Sequence, residues 1–302
     1  MEKMVKIGII GAGIWGSNHA KALRSLGALC CIYDSDIVRA KNIAQTHGIT
    51  VMQQLDEMLE SDADGIILAT PASTHAQIIL NILKTGKGLL VEKPMVVDMN
   101  QALAVKSQMK ADSKLVIGYT ERFNPAVISL INCLEDKDKL SLTLFRVGNR
   151  PERIKDVGVV LDTMIHDINI VNHLLGPTRV SSAWSVKDVD KREIFVTATV
   201  ESRTGTAHLV ASWISNERLR MGIGVSHGTV VSSNFITQES KCLTGGKELI
   251  TKGNGVDLLK AEDEAFIRYL RGEEKFPGQV DDAIADLDLA LRILNKIEEQ
   301  TL

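Results

Sequence analysis

The 302-residue chain has no excess of either charge: 35 lysines and arginines stand against 38 aspartates and glutamates, for a formal net charge of -3. That balance leaves no electrostatic footprint for nucleic acid or an anionic membrane surface, and a small molecule is the expected partner. Nothing in the sequence approaches the roughly 18 consecutive apolar residues of a membrane span. Met1-Glu2-Lys3-Met4 leads into a strand-like run without the apolar core of a signal peptide, so a soluble, cytoplasmic protein is expected. The four cysteines, Cys30, Cys31, Cys133 and Cys242, include no CxxC pair and no suitably spaced histidine; neither a disulfide framework nor a metal site is suggested. Internal repeats and low-complexity linkers are also missing. With 44% hydrophobic and 24% charged residues, the chain has material for two cores of ordinary domain size.

What is present is alternation. Aliphatic runs at residues 5–10, 28–33, 65–69, 88–92 and 114–118 are separated by amphipathic stretches at about 17–26, 36–47, 75–85 and 100–111. This pattern predicts βαβ units around a parallel sheet covered on both faces. The texture changes near Tyr119. Asn124-Pro125 predicts a helix start, with a capping side chain followed by proline at the first helical position, and the helix reaches about residue 134. Strand-like runs at 140–147, 180–183, 193–202, 205–214, 219–226 and 229–236 are joined by short turns, which predicts an antiparallel sheet. Helices are expected at about 161–175, 257–271 and 280–300. The expected architecture is an α/β Rossmann domain with a parallel sheet (residues 1–119) followed by an α+β domain with a large, mostly antiparallel open sheet (residues 120–302).

Gly11-Ala12-Gly13-Ile14-Trp15-Gly16 lies between the first strand and the first helix. There glycines permit a tight turn, close approach of backbone to a pyrophosphate and tight helix-to-strand packing, and the helix N-terminus faces the phosphates. The second strand ends at Asp34, whose carboxylate suits ribose hydroxyls and repels a 2′-phosphate, and no arginine follows at once to offset it. Strand, loop, helix, strand and acid together predict a dinucleotide site with NAD preferred over NADP. Thr70, Pro71 and His75 leave the next strand at the ligand edge and are further cofactor candidates; a helix-capping role for Thr74 is the plainer alternative.

Two elements carry chemistry. Glu92-Lys93-Pro94 ends another strand on the same edge, so Glu92 and Lys93 are cofactor-contact candidates and Lys93 a proton-handling one, although a lysine at a strand end is commonly a solvated group. Asp162 and His166 are four residues apart on an expected helix and share one face, where a carboxylate fixes the tautomer of an imidazole. His173 continues that stripe, but seven residues of helix span about 10 Å, too far for one metal ion to join both histidines, so no metal is expected.

The glycine loop, the Glu-Lys-Pro and the later Gly158-x3-Asp162-x3-His166 resemble the Gfo/Idh/MocA family of sugar and cyclitol dehydrogenases over essentially the whole chain. The resemblance implies that Lys93 and His166 are the acid/base pair, that Asp162 supports them, and that the open sheet mediates homodimer or homotetramer contacts. Glu121-Arg122-Phe123-Asn124-Pro125-Ala126, the 153–158 segment Arg-Ile-Lys-Asp-Val-Gly, Trp213 and Ile236-Thr237-Gln238-Glu239 resemble the branch that oxidises C3 of UDP-N-acetylglucosamine; Tyr119 departs from it, where histidine is usual. That likeness implies a nucleotide-sugar substrate and makes Tyr119, Arg122, Asn124, Arg153, Asp162 and His166 the substrate-binding candidates. A diphosphate calls for a cationic clamp, which Arg146, Arg150, Arg153 and Lys155 could form, against the alternative of a solvated charged loop. The expected activity is hydride transfer from a sugar hydroxyl to NAD. The alternatives are a dehydrogenase of another sugar or cyclitol, a redox-assisted glycosidase, and a non-catalytic NAD-binding regulator.

Overall fold

Aliphatic runs without polar interruption must be covered on both sides, and the strands β1 (Ile7–Ile10), β4 (Gly65–Leu68), β5 (Gly88–Glu92) and β6 (Leu115–Gly118) are buried at every residue. The computed structural model describes residues 4–135, 138–152 and 154–299. With β2 (Leu29–Tyr33) and β3 (Thr50–Val51), these strands form a six-stranded parallel sheet of order β3-β2-β1-β4-β5-β6. This is the doubly wound order, in which ligands bind outside the carboxyl ends of the strands. The crossovers are α1 (Ile14–Ser25), α2 (Ile37–His47), α3 (Leu55–Glu60), α4 (His75–Leu83) and α5 (Met99–Gln108). The sequence pattern did not resolve β3 and α3. Asp36 caps α2, its carboxylate accepting from the Val38 and Arg39 amides. Thr74 precedes α4 without capping it, because its hydroxyl donates to the Pro71 carbonyl instead.

The second sheet has eight strands, β7 (Leu140–Asn149), β8 (Arg179–Lys187), β9 (Glu193–Glu201), β10 (Gly205–Ser212), β11 (Ile214–Ser226), β12 (Thr229–Asn234), β13 (Glu239–Thr244) and β14 (Lys247–Thr251), in the order β14-β13-β12-β11-β7-β10-β9-β8. Every neighbouring pair is antiparallel except β7 with β10. The helices α6 (Pro125–Leu134) and α7 (Ile165–Leu175) lie against this sheet, α6 on β11 to β14 and α7 on β7 and β10. As the sequence predicts, Asn124 caps α6 by accepting from the Ala126 amide, with Pro125 at the first position. Just before α7, Val160–Met164 form a turn of π-helix rather than the expected continuous α-helix. Among the described residues no helix is long and apolar enough to cross a membrane.

The chain divides into two units, one running through Thr120 and including Asp257–Val280, the other comprising Glu121–Val256 and the chain from Asp281 onward. The helix α8 (Leu258–Arg271) therefore belongs with the parallel sheet, where the sequence pattern placed it in the second domain; α9 (Val280–Glu299) follows it. The cause lies at the strand starts. Gly65 and Gly88 leave room for Leu270 and Phe266, and a Cβ built at Gly88 would lie 2.1 Å from Leu270. Beyond α8, the Ile117 amide donates to the Gly278 carbonyl and Val116 bridges Gln279, which covers the edge that β6 would otherwise expose. Phe266 is fully buried. Phe266→Ala is expected to destabilise the protein by about 3–5 kcal/mol in urea denaturation; a loss below about 1 kcal/mol would contradict the placement of α8.

Candidate functional site

The glycine loop meets its steric demands in the structure. Gly11 adopts φ +105°, and a Cβ there would stand 2.5 Å from the Ala69 carbonyl oxygen. A Cβ at Gly16 would lie 1.8 Å from the Gly11 carbonyl oxygen, so α1 can approach β1 only because that position is bare. Gly13 opens onto free space, and as the residue before α1 it supplies no capping side chain, which leaves the first helical amides for an anion. Ile14 is exposed and Trp15 half-buried at that helix start. Asp34 is anchored from both sides: the Ala12 amide donates to Oδ2 (2.6 Å) and the Asp36 amide to Oδ1 (2.7 Å). Arg39, five residues on rather than directly after Asp34, reaches 3.7 Å from it while bonding Asp36. The residues fit a dinucleotide.

Glu92 and Lys93 follow at the carboxyl end of β5. Glu92 is buried, and its Oε1 accepts from His19 Nε2 (3.0 Å), while His19 Nδ1 donates to Asp263 Oδ1 (2.7 Å). Glu262, also fully buried, accepts no hydrogen bond, and together with His19 and Glu92 it brings its ligand-type atoms within 4.8 Å. Both imidazole nitrogens face carboxylates, so the group reads as an imidazolium between two anions rather than a metal ligand offering a lone pair. Burial alone would lower His19, but Asp263 and Glu92 outweigh it and hold the ring well above the ordinary histidine value. His75, an expected cofactor contact, is 1% exposed; its ring nitrogens lie 3.0 Å from the Pro94 carbonyl and 2.9 Å from that of Thr70. The structure thus gives His75 a place behind the Lys93-Pro94 turn. Thr70 is half-buried, its hydroxyl 2.7 Å from that of Thr74, and Pro71 is exposed. Tyr119, one residue past β6, is 2% exposed.

In the second unit, Asp162 sits in the π-helical turn and His166 in the first turn of α7, four residues apart as the sequence suggested. Segments of this geometry recur at functional sites. A relay orients Asp162: the Trp213 indole N–H donates to Thr163 Oγ1 (2.8 Å), and the Thr163 hydroxyl donates to Asp162 Oδ2 (3.1 Å). Gly158 opens the turn because Glu193 of β9 fills the space beside it; a Cβ there would fall 2.1 Å from the Glu193 carboxyl carbon. The Val160 amide bonds Glu193, whose pKa burial nonetheless raises.

Asp167, next to His166, is held by Arg146, which sends Nη2 (2.8 Å) and Nε (3.1 Å) to one Asp167 oxygen and Nη1 to Glu121 (2.7 Å). Arg146 is 2% exposed, so the expected clamp role fails for it: it is a core cation neutralising two core anions. Burial would raise Glu121, but Arg146 and Arg220 hold it below the usual carboxylate range; Asp167, with Oδ2 accepting nothing, is pushed up by burial. Asn124 is fully buried, and both its amide hydrogens are engaged, by Glu121 (2.8 Å) and by the Phe235 carbonyl (2.9 Å), which makes it structural rather than a substrate contact. Arg122 donates to Asn169 and lies 3.4 Å from His173, which is exposed. Arg150 pairs with Asp188 (2.7 Å) and stands over the Trp213 ring; Lys155 is exposed, and Arg153 lies outside the described residues.

Residues 5–119 match the GFO_IDH_MocA family model, described as an oxidoreductase family with an NAD-binding Rossmann fold. The match spans the dinucleotide-binding unit alone, and the likeness to the Gfo/Idh/MocA family is a property of that unit. Among curated relatives, the chain is 30% identical over 201 residues to inositol 2-dehydrogenase of Rhizobium meliloti, an alignment covering 62% of this chain and 60% of that protein. The match to UDP-N-acetylglucosamine 3-dehydrogenase of Acidithiobacillus ferrooxidans is 28% identical over 220 residues, 72% of this chain and 69% of that protein. The solved structure of the Acidithiobacillus enzyme superposes with a TM-score of 0.89 at 24% identity over 98% of both chains. GenD2 from gentamicin A biosynthesis, in complex with NAD, gives 0.86 at 17% identity over 99% of this chain and 96% of its own. These structural likenesses establish the two-sheet fold.

His19, Glu262, Asp263, Glu193 and Thr163 did not emerge from the sequence, although each left a trace. His19 falls three residues after Gly16 on the buried face of α1, and Glu262 and Asp263 interrupt an otherwise apolar buried face of α8. The cluster makes a pH-dependent contribution with a definite sign. Burial, then Glu92, raises Glu262; burial raises Asp263, with Glu92 and Asp257 adding to it against His19; His19 is itself raised. All three hold protons more tightly in the folded state, so stability is full below their unfolded values and is lost as pH rises through the raised ones. Thermal melts between about pH 5 and pH 8 should show Glu262→Gln with a shallower loss of midpoint than wild type; parallel curves would show that Glu262 is not a buried acid.

Proposed function

We propose that the chain is an NAD-dependent dehydrogenase that oxidises a sugar hydroxyl to a ketone, with C3 of a UDP-N-acetylhexosamine as its substrate position. The observation that carries the reading is the convergence on one edge of the parallel sheet. The glycine loop after β1, Asp34 after β2, Thr70 after β4 and Lys93 after β5 occupy four strand ends on the side where such sheets bind ligands. Bound NAD supplies the hydride acceptor. Gly11, Gly13 and Gly16 give its diphosphate room against the α1 amides, and Asp34 meets the ribose. Lys93 or His166 takes the hydroxyl proton, and Asp162, held by Thr163, sets a carboxylate four residues before the imidazole.

The finer reading, a nucleotide sugar, draws support from the likeness to UDP-N-acetylglucosamine 3-dehydrogenase; the likeness to inositol 2-dehydrogenase favours a free cyclitol as the second reading. Of the cations expected to clamp a diphosphate, Arg153 and Lys155 are the remaining candidates, with Arg122 beside α7. Self-association is proposed through the uncovered face of the second sheet, where Val225, Val230 and Leu243 stand exposed in register across β11, β12 and β13.

The purified protein, given NAD or NADP with a panel of UDP-sugars and free inositols, is expected to form NADH with UDP-N-acetylglucosamine and a 3-keto product; response to free polyols alone would overturn the nucleotide-sugar reading. Lys93→Ala and His166→Ala should each lower turnover by about 10²–10⁴-fold with NAD affinity retained, and wild-type turnover in either would remove that residue from the mechanism. Light scattering should return the mass of a dimer or tetramer, and a monomer at micromolar concentration would dismiss the sheet-face contact.

A further inference from the structure

Lys93 has a buried histidine behind each of its chain neighbours. On one side, Glu92 is gripped by His19, which rides on α1, the helix whose N-terminus serves the dinucleotide. On the other, the Pro94 carbonyl lies 3.0 Å from His75 at the start of α4, and the same ring reaches the Thr70 carbonyl after β4. His19 is 0% and His75 1% exposed, so neither ring can meet a substrate directly. We propose that His19 and His75 are positioning residues that fix the backbone on both sides of Lys93 and so set where its amine stands relative to bound NAD.

The inference rests on the dehydrogenase reading for the role of Lys93, but the contacts themselves do not. His19 joins three elements: its Nδ1–H is taken by Asp263 on α8 and its Nε2–H by Glu92 at the end of β5, so a movement of α1 is passed to Glu92 through one rigid ring. Glu262, from the same turn of α8, packs beside the cluster; a Cβ at Gly118 would lie 3.1 Å from its Oε1, so the end of β6 is bare where this acid sits. His75 joins two strand ends, β4 through Thr70 and β5 through Pro94. Burial outweighs the two carbonyls and holds the His75 pKa below the ordinary histidine value, so the neutral ring donates its one N–H to one carbonyl and packs its other nitrogen against the second. The His75 ring spans the backbone of two strand ends beyond the last β4–β5 pair, Leu68 with Val91, whereas His19 holds the side chain of Glu92, whose backbone is already paired with Gly118; a side chain flanked by two such anchors is held to a narrow range of positions.

The test uses the full-length chain in the presence of NAD. His19→Gln and His75→Asn are compared with wild type in NADH affinity by fluorescence titration, in kcat and KM for the sugar that reduces NAD, and in the rate at which acetic anhydride labels Lys93, read by mass spectrometry of its peptide. Positioning predicts kcat lower by up to about 10²-fold, NADH affinity close to wild type, and faster labelling of a less constrained Lys93. Asp263→Asn, which keeps an acceptor for His19 Nδ1–H, should retain far more kcat than Asp263→Ala, and this pair decides the question if His19→Gln does not fold. A kcat loss shared equally with NADH affinity and folded fraction would mark a merely structural role and overturn the proposal, as would unchanged kcat and labelling. If no sugar reduces NAD with the wild type, the dehydrogenase reading fails by itself, and the labelling comparison still decides this one: equal rates in all proteins refute it.

Discussion

A carboxylate removed from water needs a positive partner or a proton, and this requirement governs the surroundings of both proton-handling candidates. Glu92 precedes Lys93 and is paired with His19; Asp167 follows His166 and is paired with Arg146. Removing one member of such a buried pair costs about 3–5 kcal/mol, whereas an apolar replacement of the whole pair is often neutral. The stability gained is therefore modest and the consequence is chiefly geometric. A carboxylate one residue from the reactive side chain, locked by a directional bond to another element, removes freedom from the backbone on which that side chain stands. In the first unit the partner comes from α1, in the second from β7, and the two solutions share a principle without sharing a residue type.

The parallel sheet was legible because its signal is local. Uninterrupted aliphatic runs can only be doubly covered strands, Asp36 and Asn124 announce the helices they cap, and Gly11, Gly13, Gly16 and Asp34 fall within one βαβ unit whose spacing is set by covalent geometry. Lys93, Asp162 and His166 became candidates through their spacing and place in the fold together with the family resemblance, and their roles belong to the proposed function. The glycine at 158 carried a second meaning that spacing could not show, since the group that forbids its side chain, Glu193, lies 35 residues away in sequence on another strand.

What escaped was set by pairings between distant residues. Asp263 is 244 positions from His19, and nothing in the α8 sequence distinguishes its buried acids from the solvated ones beside them. Burial of α8 against the parallel sheet was invisible for the same reason: Leu270 fits because Gly65 and Gly88 are bare, a complementarity between segments nearly two hundred residues apart. The hairpin of β13 and β14 was missed on composition, because Glu239, Lys241, Lys247 and Glu248 make the segment look like a loop. Its inward residues Ser240 and Cys242 alternate with exposed ones, and Gly245 and Gly246, both at positive φ, supply the two-residue turn that such a hairpin requires.

Arg146 shows which of two sequence signals prevails when they conflict. Grouped by charge with Arg150, Arg153 and Lys155, it reads as part of a clamp for an anionic substrate. Grouped by period, it falls in step with Leu140, Leu142 and Leu144, all buried on the inner face of β7. Successive side chains on a strand point to opposite faces, so a residue two positions beyond Leu144 faces the core unless the strand bulges. The ladder to β10 runs in unbroken register from Leu140 to Val147. Arg146 therefore enters the core whatever its charge, and the two buried acids Glu121 and Asp167 are the consequence, since a guanidinium so placed requires anions from elements that reach it. The clamp reading weighed charge and overlooked phase; along a strand with one buried face, phase determines which charges a ligand can meet.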